Sequence, residues 1–135
     1  MIKVIVVDDS EPVRVGLSVW LGLQPDLEVV GEAENGVQAL ELAMDLCPDV
    51  VVMDVKMPVC DGVTATARMR DACPNSRVLL LSFDDDPATI EAGLAAGAAG
   101  YVLKYAGPDA VTAGVRAVYR PVEPQVGGGL ASQSG

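Results

Sequence analysis

The chain has 135 residues, half of them hydrophobic, which is the size of one domain with a substantial core. Its net charge is −10, and its nine Lys and Arg residues are scattered, which argues against direct binding of nucleic acid. There is no histidine, so Ser-His-Asp hydrolases, Cys-His hydrolases and histidine-ligated metal sites are excluded.

Two further features set the expected compartment. No apolar stretch approaches the roughly 18–20 residues of a membrane span, and the N-terminus runs into a predicted strand without a secretory signal. We therefore expect a cytoplasmic protein that makes no membrane contact. The cysteines, Cys47, Cys60 and Cys73, are odd in number and have no Cys-x-x-Cys spacing, so we expect reduced thiols. Of these, Cys60 is the one expected near the functional site.

Short runs rich in Val and Leu alternate with helix-length segments along the chain. This pattern predicts strands of a parallel sheet that is buried on both faces. The first strand covers about residues 2–7 and is followed by Asp8 and Asp9. Ser10 can cap the first helix, and Trp20 lies on the apolar stripe of that helix, which predicts core packing.

The second strand is shorter and of mixed polarity. It covers residues 27–31, and its brevity and Glu28 favour a position at the edge of the sheet. The second helix follows the turn at 34–36 and ends at Pro48. Its large apolar residues are Val37, Leu40 and Met44.

The third and fourth strands end on polar residues. The third strand covers residues 49–53 and leads directly to Asp54. The third helix opens at Asp61, and its apolar face is weak. The fourth strand covers residues 77–81 and leads to Ser82.

The fourth helix is predicted to be the least stable. Asp86 can cap it, but its sequence has three glycines and mostly alanine, so little apolar area offsets the cost of glycine in a helix. The fifth strand covers residues 99–103 and leads to Lys104. The fifth helix, about 108–119, has an apolar stripe made of Val111, Val115 and Val118.

The composition changes after the fifth helix. Residues 120–135 contain prolines, three consecutive glycines and a polar end, which is typical of a linker or tail. The sequence therefore predicts one domain at 1–119, followed by this segment.

Polar groups suited to phosphoryl chemistry follow four of the predicted strands. The carboxyl ends of parallel strands share one edge, where ligand sites form, so we expect these groups to converge there. They are three carboxylates, a hydroxyl and an ammonium group: Asp8, Asp9, Asp54, Ser82 and Lys104. A carboxylate can attack a phosphoryl group, which makes Asp54 the candidate nucleophile, and a divalent cation suits three neighbouring carboxylates.

Residues 1–119 resemble the receiver domain of a two-component response regulator. The resemblance rests on the order and spacing of these five polar residues, together with Met57-Pro58, Asp61-Gly62 and the run "YVLK" at 101–104. The nearest subfamily is the NarL/FixJ type. The resemblance implies an α/β fold, a doubly wound five-stranded parallel sheet in the flavodoxin-like order 2-1-3-4-5.

The resemblance also assigns roles to the converging groups. Asp54 would be the phosphoacceptor, and Lys104 and Ser82 would each contact a phosphoryl oxygen. Asp8, Asp9 and Asp54 would hold Mg²⁺ together with the backbone carbonyl of Lys56. Such a domain is not an enzyme on other substrates, because it catalyses only its own phosphorylation and dephosphorylation.

The same resemblance implies a signalling mechanism. The partner would be a sensor histidine kinase, and phosphorylation would move Ser82 and Tyr101, the switch residues. The expected outcome is a homodimer that regulates transcription through a DNA-binding output domain. That domain is absent from this chain, so we expect either a shortened chain or a stand-alone receiver.

Two positions depart from the family pattern, and three other functions stay open. Phe83 stands where a small residue is usual, which could narrow access to the phosphoryl group, and Tyr105 could alter the loop after Lys104.

One alternative function is that of a pseudo-receiver that signals without phosphate. A haloacid-dehalogenase-type phosphatase would need an acid at Lys56, and a flavodoxin-like cofactor binder would need a phosphate-binding loop where Asp8 and Asp9 stand.

Overall fold

The computed structural model describes residues 1–119. The predicted linker or tail at 120–135 lies outside the described residues, so the domain boundary stays a prediction. Strands and helices alternate throughout the described part. They are β1 (Ile2–Val7), α1 (Glu11–Gly22), β2 (Leu27–Ala33), α2 (Gly36–Leu46), β3 (Val50–Asp54), α3 (Gly62–Ala72), β4 (Arg77–Ser82), α4 (Pro87–Ala95), β5 (Gly100–Leu103) and α5 (Pro108–Tyr119), with a short 3-10 helix at Lys104–Ala106.

The five strands form one parallel sheet in the order β2-β1-β3-β4-β5, which confirms the predicted fold class. The central strand β3 is buried along its whole length, and β1 and β4 are buried at all but one position each. The prediction that β2 is an edge strand is also confirmed, although the strand extends to Ala33. The polar residues at the carboxyl ends of these strands therefore lie on one edge of the sheet.

Helices cover both faces of the sheet. On one face, α1 and α5 pack against side chains that include Val4, Val52, Leu79 and Leu81. On the other face, α2 and α3 pack against side chains that include Ile5, Val51, Met53 and Leu80. The alternation of strand side chains between two covered faces explains why these strands are almost continuously apolar.

The fifth helix follows its predicted apolar stripe, whereas of the large apolar residues named above in the second helix only Leu40 packs against the core. Val111, Val115 and Val118 are all buried, as predicted. In α2 the buried residues are small: Gly36, Ala39 and Ala43. Val37 and Met44 are exposed instead. The two sets have the same helical spacing and differ in phase by one residue, so periodicity alone did not distinguish them.

Polar side chains fix the ends of several helices. Asn35, Asp61 and Asp86 each accept a hydrogen bond from a backbone N–H in the first turn of the helix that follows, which confirms the predicted cap at Asp86. Ser10 stands at the cap position of α1, but its side chain makes no capping hydrogen bond; its N–H donates to Asp8 Oδ1 instead (2.9 Å).

Trp20 packs against the core of the α1 and α5 face, as predicted from its position on the helical stripe. Its indole Nε1 also donates a hydrogen bond to Thr112 Oγ1 at 2.7 Å, which joins α1 to α5. Thr112 is buried, so this bond satisfies two polar groups inside the core.

Among residues 1–119, every helix is too short or too polar to pass through a bilayer.

The first residue of α3 lies against the backbone of β3. A Cβ atom at Gly62 would collide with the carbonyl oxygen of Asp54, and the Gly62 N–H donates to the Val55 carbonyl at 2.8 Å. Only glycine therefore allows α3 to begin this close to Asp54.

We predict that Gly62→Ala destabilises the protein by about 1–3 kcal/mol, because the added methyl group pushes the first turn of α3 away from the backbone of β3. Gly16→Ala is the matched control, since a Cβ atom at Gly16 in α1 meets nothing within 4 Å. This control should gain up to about 1 kcal/mol from helix propensity. Urea denaturation measures both changes, and an equal response of the two variants would contradict the packing argument.

Candidate functional site

The structure brings the predicted site residues together at the carboxyl edge of the sheet. Asp8 follows β1, Asp54 ends β3, Ser82 ends β4 and Lys104 follows β5. With Asp9, these four residues line one open cavity of about 340 Å³. Their convergence therefore follows from the parallel strand order, as the sequence predicted.

Lys104 is the cation at the centre of this site. Its Nζ lies 2.8 Å from Asp8 Oδ2 and 3.2 Å from Asp54 Oδ2. Asp8 is 1% exposed and Asp54 is 8% exposed, so both carboxylates have lost most of their hydration. One ammonium group offsets the charge of two buried carboxylates that would otherwise repel each other.

Burial and charge act in opposite directions on these groups. Burial raises the pKa of Asp54 despite the ammonium group of Lys104, and the neighbouring Asp8 also raises it. Burial alone would lower the pKa of Lys104, but its bonds to Asp8 and Asp54 outweigh this effect and raise the pKa. Lys104 is therefore charged at neutral pH, and the site favours additional positive charge near Asp54.

The three carboxylates fit a divalent cation. Asp8, Asp9 and Asp54 can each offer one oxygen such that these oxygens lie within 4.8 Å of one another. Mg²⁺ binds oxygen at about 2.1 Å, so its octahedral ligands lie between about 3.0 and 4.2 Å apart, and three oxygens within 4.8 Å of one another can reach one ion by small side-chain movements. Asp9 is exposed, which leaves room for the water ligands that Mg²⁺ keeps.

The loop after Asp54 has an unusual backbone. Val59 has φ of 70°, and the Cys60 N–H donates to the Pro58 carbonyl at 2.7 Å, which closes a γ-turn around an exposed valine. Valine is disfavoured at positive φ, and such strain is concentrated at functional sites. Lys56, whose backbone carbonyl is the predicted metal ligand, precedes this turn, and its ligand role stays a prediction.

Ser82 is connected to Tyr101 through Asp84. The Asp84 N–H donates to Ser82 Oγ at 2.9 Å, and the Tyr101 hydroxyl donates to the Asp84 carbonyl at 3.2 Å. Asp84 also accepts hydrogen bonds from the Asp86 N–H and the Thr89 hydroxyl at the start of α4. Movement of Ser82 would therefore change both the hydrogen bond of Tyr101 and the anchoring of α4.

Two residues, Phe83 and Arg14, make contacts at or beside the site that the sequence does not predict. Lys104 Nζ lies 5.2 Å from the centre of the Phe83 ring, a distance at which an ammonium group and an aromatic face attract each other. Arg14 donates to the Asp8 backbone carbonyl at 2.9 Å and to Glu32 Oε1 at 3.1 Å. The phenylalanine was visible as a departure from the family pattern, whereas no sequence signal marked Arg14.

Comparison with known proteins gives one consistent result. The family model for the response regulator receiver domain matches residues 4–116. The transcriptional regulatory protein LnrK of Bacillus subtilis is 41% identical over 119 residues, which cover 88% of this chain and 54% of that protein. The response regulator GacA of Pseudomonas aeruginosa is 41% identical over an alignment of 138 residues, gaps included, which covers 99% of this chain and 64% of that protein. The chain thus spans between half and two thirds of the length of these relatives.

The fold comparison agrees. The signal receiver domain of the response regulator NarL from Mycobacterium tuberculosis superimposes with a TM-score of 0.85 at 37% identity. The match covers 89% of this chain and 97% of that domain. The predicted resemblance to NarL-type receivers is therefore confirmed.

We predict that Asp54→Asn raises the melting temperature of the metal-free protein at pH 7. Burial raises the pKa of Asp54 above its value in the unfolded chain. The contribution of this group to the free energy of unfolding is therefore fully present below the unfolded-state pKa, at about pH 4, and is lost as pH rises through the folded-state pKa. As pH rises through the folded-state pKa of Asp54, the wild type gains a buried charge that asparagine lacks. The difference between the two melting curves should shrink as pH falls toward 4.

Asp26→Asn is the control of opposite sign. The bidentate hydrogen bond from Arg116 lowers the pKa of Asp26, so its contribution to stability is present above about pH 4 and is lost as pH falls. This variant should be slightly less stable than the wild type at pH 7. A loss of stability in Asp54→Asn at pH 7 would contradict the assignment of a net penalty to the buried carboxylate.

Proposed function

The chain belongs to the response regulator receiver domain family, and from this premise we propose that Asp54 accepts a phosphoryl group from a sensor histidine kinase. The observation that carries the proposal is the position of the Asp54 carboxylate. It lies at the end of the central strand, 3.2 Å from Lys104 Nζ and beside Asp8 and Asp9. A buried nucleophile with a cation and metal-binding carboxylates around it is suited to phosphoryl transfer.

The transfer exchanges one bond to phosphorus for another. A carboxylate oxygen of Asp54 forms a bond to phosphorus while the bond from phosphorus to the donor imidazole nitrogen breaks, and the product is an acyl phosphate. Lys104 already lies within hydrogen-bond distance of Asp54, so its ammonium group can pair with a phosphoryl oxygen. Ser82 Oγ accepts from the Asp84 N–H, which leaves its hydroxyl proton free for another phosphoryl oxygen.

Asp8, Asp9 and Asp54, with the backbone carbonyl of Lys56 by family resemblance, would hold Mg²⁺. The ion, when bound, neutralises charge on the transferring phosphoryl group. The spacing of the three carboxylates supports this assignment.

Phosphorylation would then act through the hydrogen bonds between Ser82, Asp84 and Tyr101. A Ser82 hydroxyl drawn toward the phosphoryl group moves its partner Asp84, which removes the acceptor of Tyr101. The affected helix, α4, has only Gly93 as a fully buried residue, so its packing resists movement weakly. The switch therefore combines a local charge change with a weakly packed element.

The output of this switch is proposed from the relatives. LnrK is a transcriptional regulatory protein, and GacA is a response regulator. We propose that this chain likewise works in the cytoplasm, dimerises on phosphorylation and controls transcription through a DNA-binding domain that these residues do not include. Receiver domains are generally not enzymes, and the catalysis proposed here is limited to the phosphorylation and dephosphorylation of Asp54 itself.

A pseudo-receiver is the second candidate, and the position of Phe83 favours it. Its ring lies over Lys104, is 69% exposed and helps to line the site cavity. A ring at this position could hinder the phosphodonor without removing any polar group. The two candidates differ in whether the wild type forms an acyl phosphate at all.

We predict that the wild type gains one phosphoryl group from acetyl phosphate with Mg²⁺, and that Asp54→Asn slows this reaction at least about a hundredfold. Asp85→Asn is the matched control, because Asp85 is exposed and lies outside the site cavity. Intact-protein mass spectrometry over time measures the modification. Equal rates for Asp54→Asn and the wild type would refute the phosphoacceptor assignment, and an unreactive wild type that binds Mg²⁺ would favour the pseudo-receiver.

We predict that beryllofluoride with Mg²⁺ doubles the molar mass of the wild type in solution. Beryllofluoride imitates the phosphoryl group on a carboxylate, so Asp54→Asn should stay at its starting mass. Size-exclusion chromatography with light scattering measures the change. If beryllofluoride changes the tryptophan fluorescence of the wild type but the protein stays monomeric, the conformational switch occurs without dimerisation. That result would contradict only the proposed dimerisation.

A further inference from the structure

A second cavity lies at the opposite edge of the sheet from Asp54. It has a volume of about 330 Å³ and is lined by the segments that precede β3 and β4. Two of its lining residues are Cys47 and Cys73, both of them free thiols. Cys47 is exposed and Cys73 is half-buried, so a reagent in solution can reach this pair.

The two cysteines occupy equivalent positions. Cys47 directly follows α2 and precedes Pro48, and Cys73 directly follows α3 and precedes Pro74. A proline after the end of a helix turns the chain toward the next strand. Because β3 and β4 are neighbours in the sheet, the two turns lie side by side.

Hydrogen bonds hold the two turns together. Ser76 Oγ donates to the Pro48 carbonyl at 2.7 Å, and the Arg77 N–H donates to the Asp49 carbonyl at 3.0 Å. Burial raises the pKa of the Cys73 thiol, and so does the nearby Cys47, which agrees with their location in one cavity. The cavity leaves open volume beside both thiols.

We propose that Cys47 and Cys73 form a dithiol modification site that a low-molecular-weight disulfide oxidises to an intramolecular disulfide. Exchange begins at the more accessible thiol, which is Cys47. A disulfide needs its two Cα atoms within about 7 Å of each other. The neighbouring positions of the two helix ends and the cavity that both cysteines line are the observations that favour closure.

The reaction has two exchange steps. The Cys47 thiolate attacks one sulfur of the reagent, and a new sulfur–sulfur bond forms while the first reagent thiolate leaves. The Cys73 thiolate then attacks the Cys47 sulfur and releases the second thiolate. The two cysteines are oxidised, the disulfide reagent is reduced to two thiols, and the two cysteine protons end on those thiols.

The cross-link would join the ends of α2 and α3 and enclose the segment 47–73. It would restrict the unfolded chain and so stabilise the folded protein. Cys60 lies in the loop after Asp54, and it is buried, so it should react slowly. Asp54 chemistry should persist after oxidation, because the bond forms at the other edge of the sheet.

The test treats the native 135-residue chain with oxidised glutathione, followed by alkylation in denaturant and mass spectrometry. The free thiols should fall from three to one, with a peptide that joins Cys47 to Cys73. The melting temperature should rise by roughly 5–10 °C and return on reduction. Three remaining thiols, a stable glutathione adduct on Cys47, or a cross-link between two chains would each overturn the proposal.

Single substitutions separate the steps. Cys73→Ser should stop at the mixed disulfide on Cys47, whereas Cys47→Ser should lose most of the reaction. Cys60→Ser is the control and should form the internal disulfide at the wild-type rate. Disulfide formation in either single variant of the pair would show that another cysteine reacts, which would refute the assignment.

Discussion

The ion pairs of Lys104 with Asp8 and Asp54 are the interaction on which the rest of the site depends. Two neighbouring carboxylates that are less than a tenth exposed repel each other, and a nearby cation offsets that repulsion. Lys104, which lies 96 positions after Asp8 in the sequence, supplies that cation. The arrangement leaves a surplus of negative charge, which favours the binding of a divalent cation beside Asp54.

The same edge of the sheet carries a conformational cost. The loop after Asp54 contains Val59 at positive φ, and α3 can begin beside β3 only because Gly62 lacks a side chain. The rigid, buried strands below the loop make such strain tolerable, since they fix where the loop begins. By contrast, α4 has little buried surface and is attached to the site through Asp84. The molecule thus combines rigid, buried strands with one weakly packed helix, α4, and a conformational switch needs such an element.

Much of the fold followed from simple patterns, and the failures have a definite cause. Apolar runs between helical segments predicted four of the strands to within about one residue, and a shorter run of mixed polarity predicted β2 but ended it about two residues early. The valine stripe of α5 also matched its buried face. In α2 the large residues Val37 and Met44 are exposed, and the helix approaches the sheet through Ala39 and Ala43. Small residues contribute little to a hydrophobic pattern, although they allow the closest packing.

The sequence by itself determined the order of the elements, the parallel sheet and the identity of the converging polar groups. These depend on local patterns and on the rule that parallel strands end at one edge. Only the tertiary structure decided that Lys104 pairs with both Asp8 and Asp54 and lies over Phe83, and that Cys47 and Cys73 share a cavity. Such contacts join residues that are distant along the chain, and their distances depend on strand register and helix packing, which no local pattern specifies.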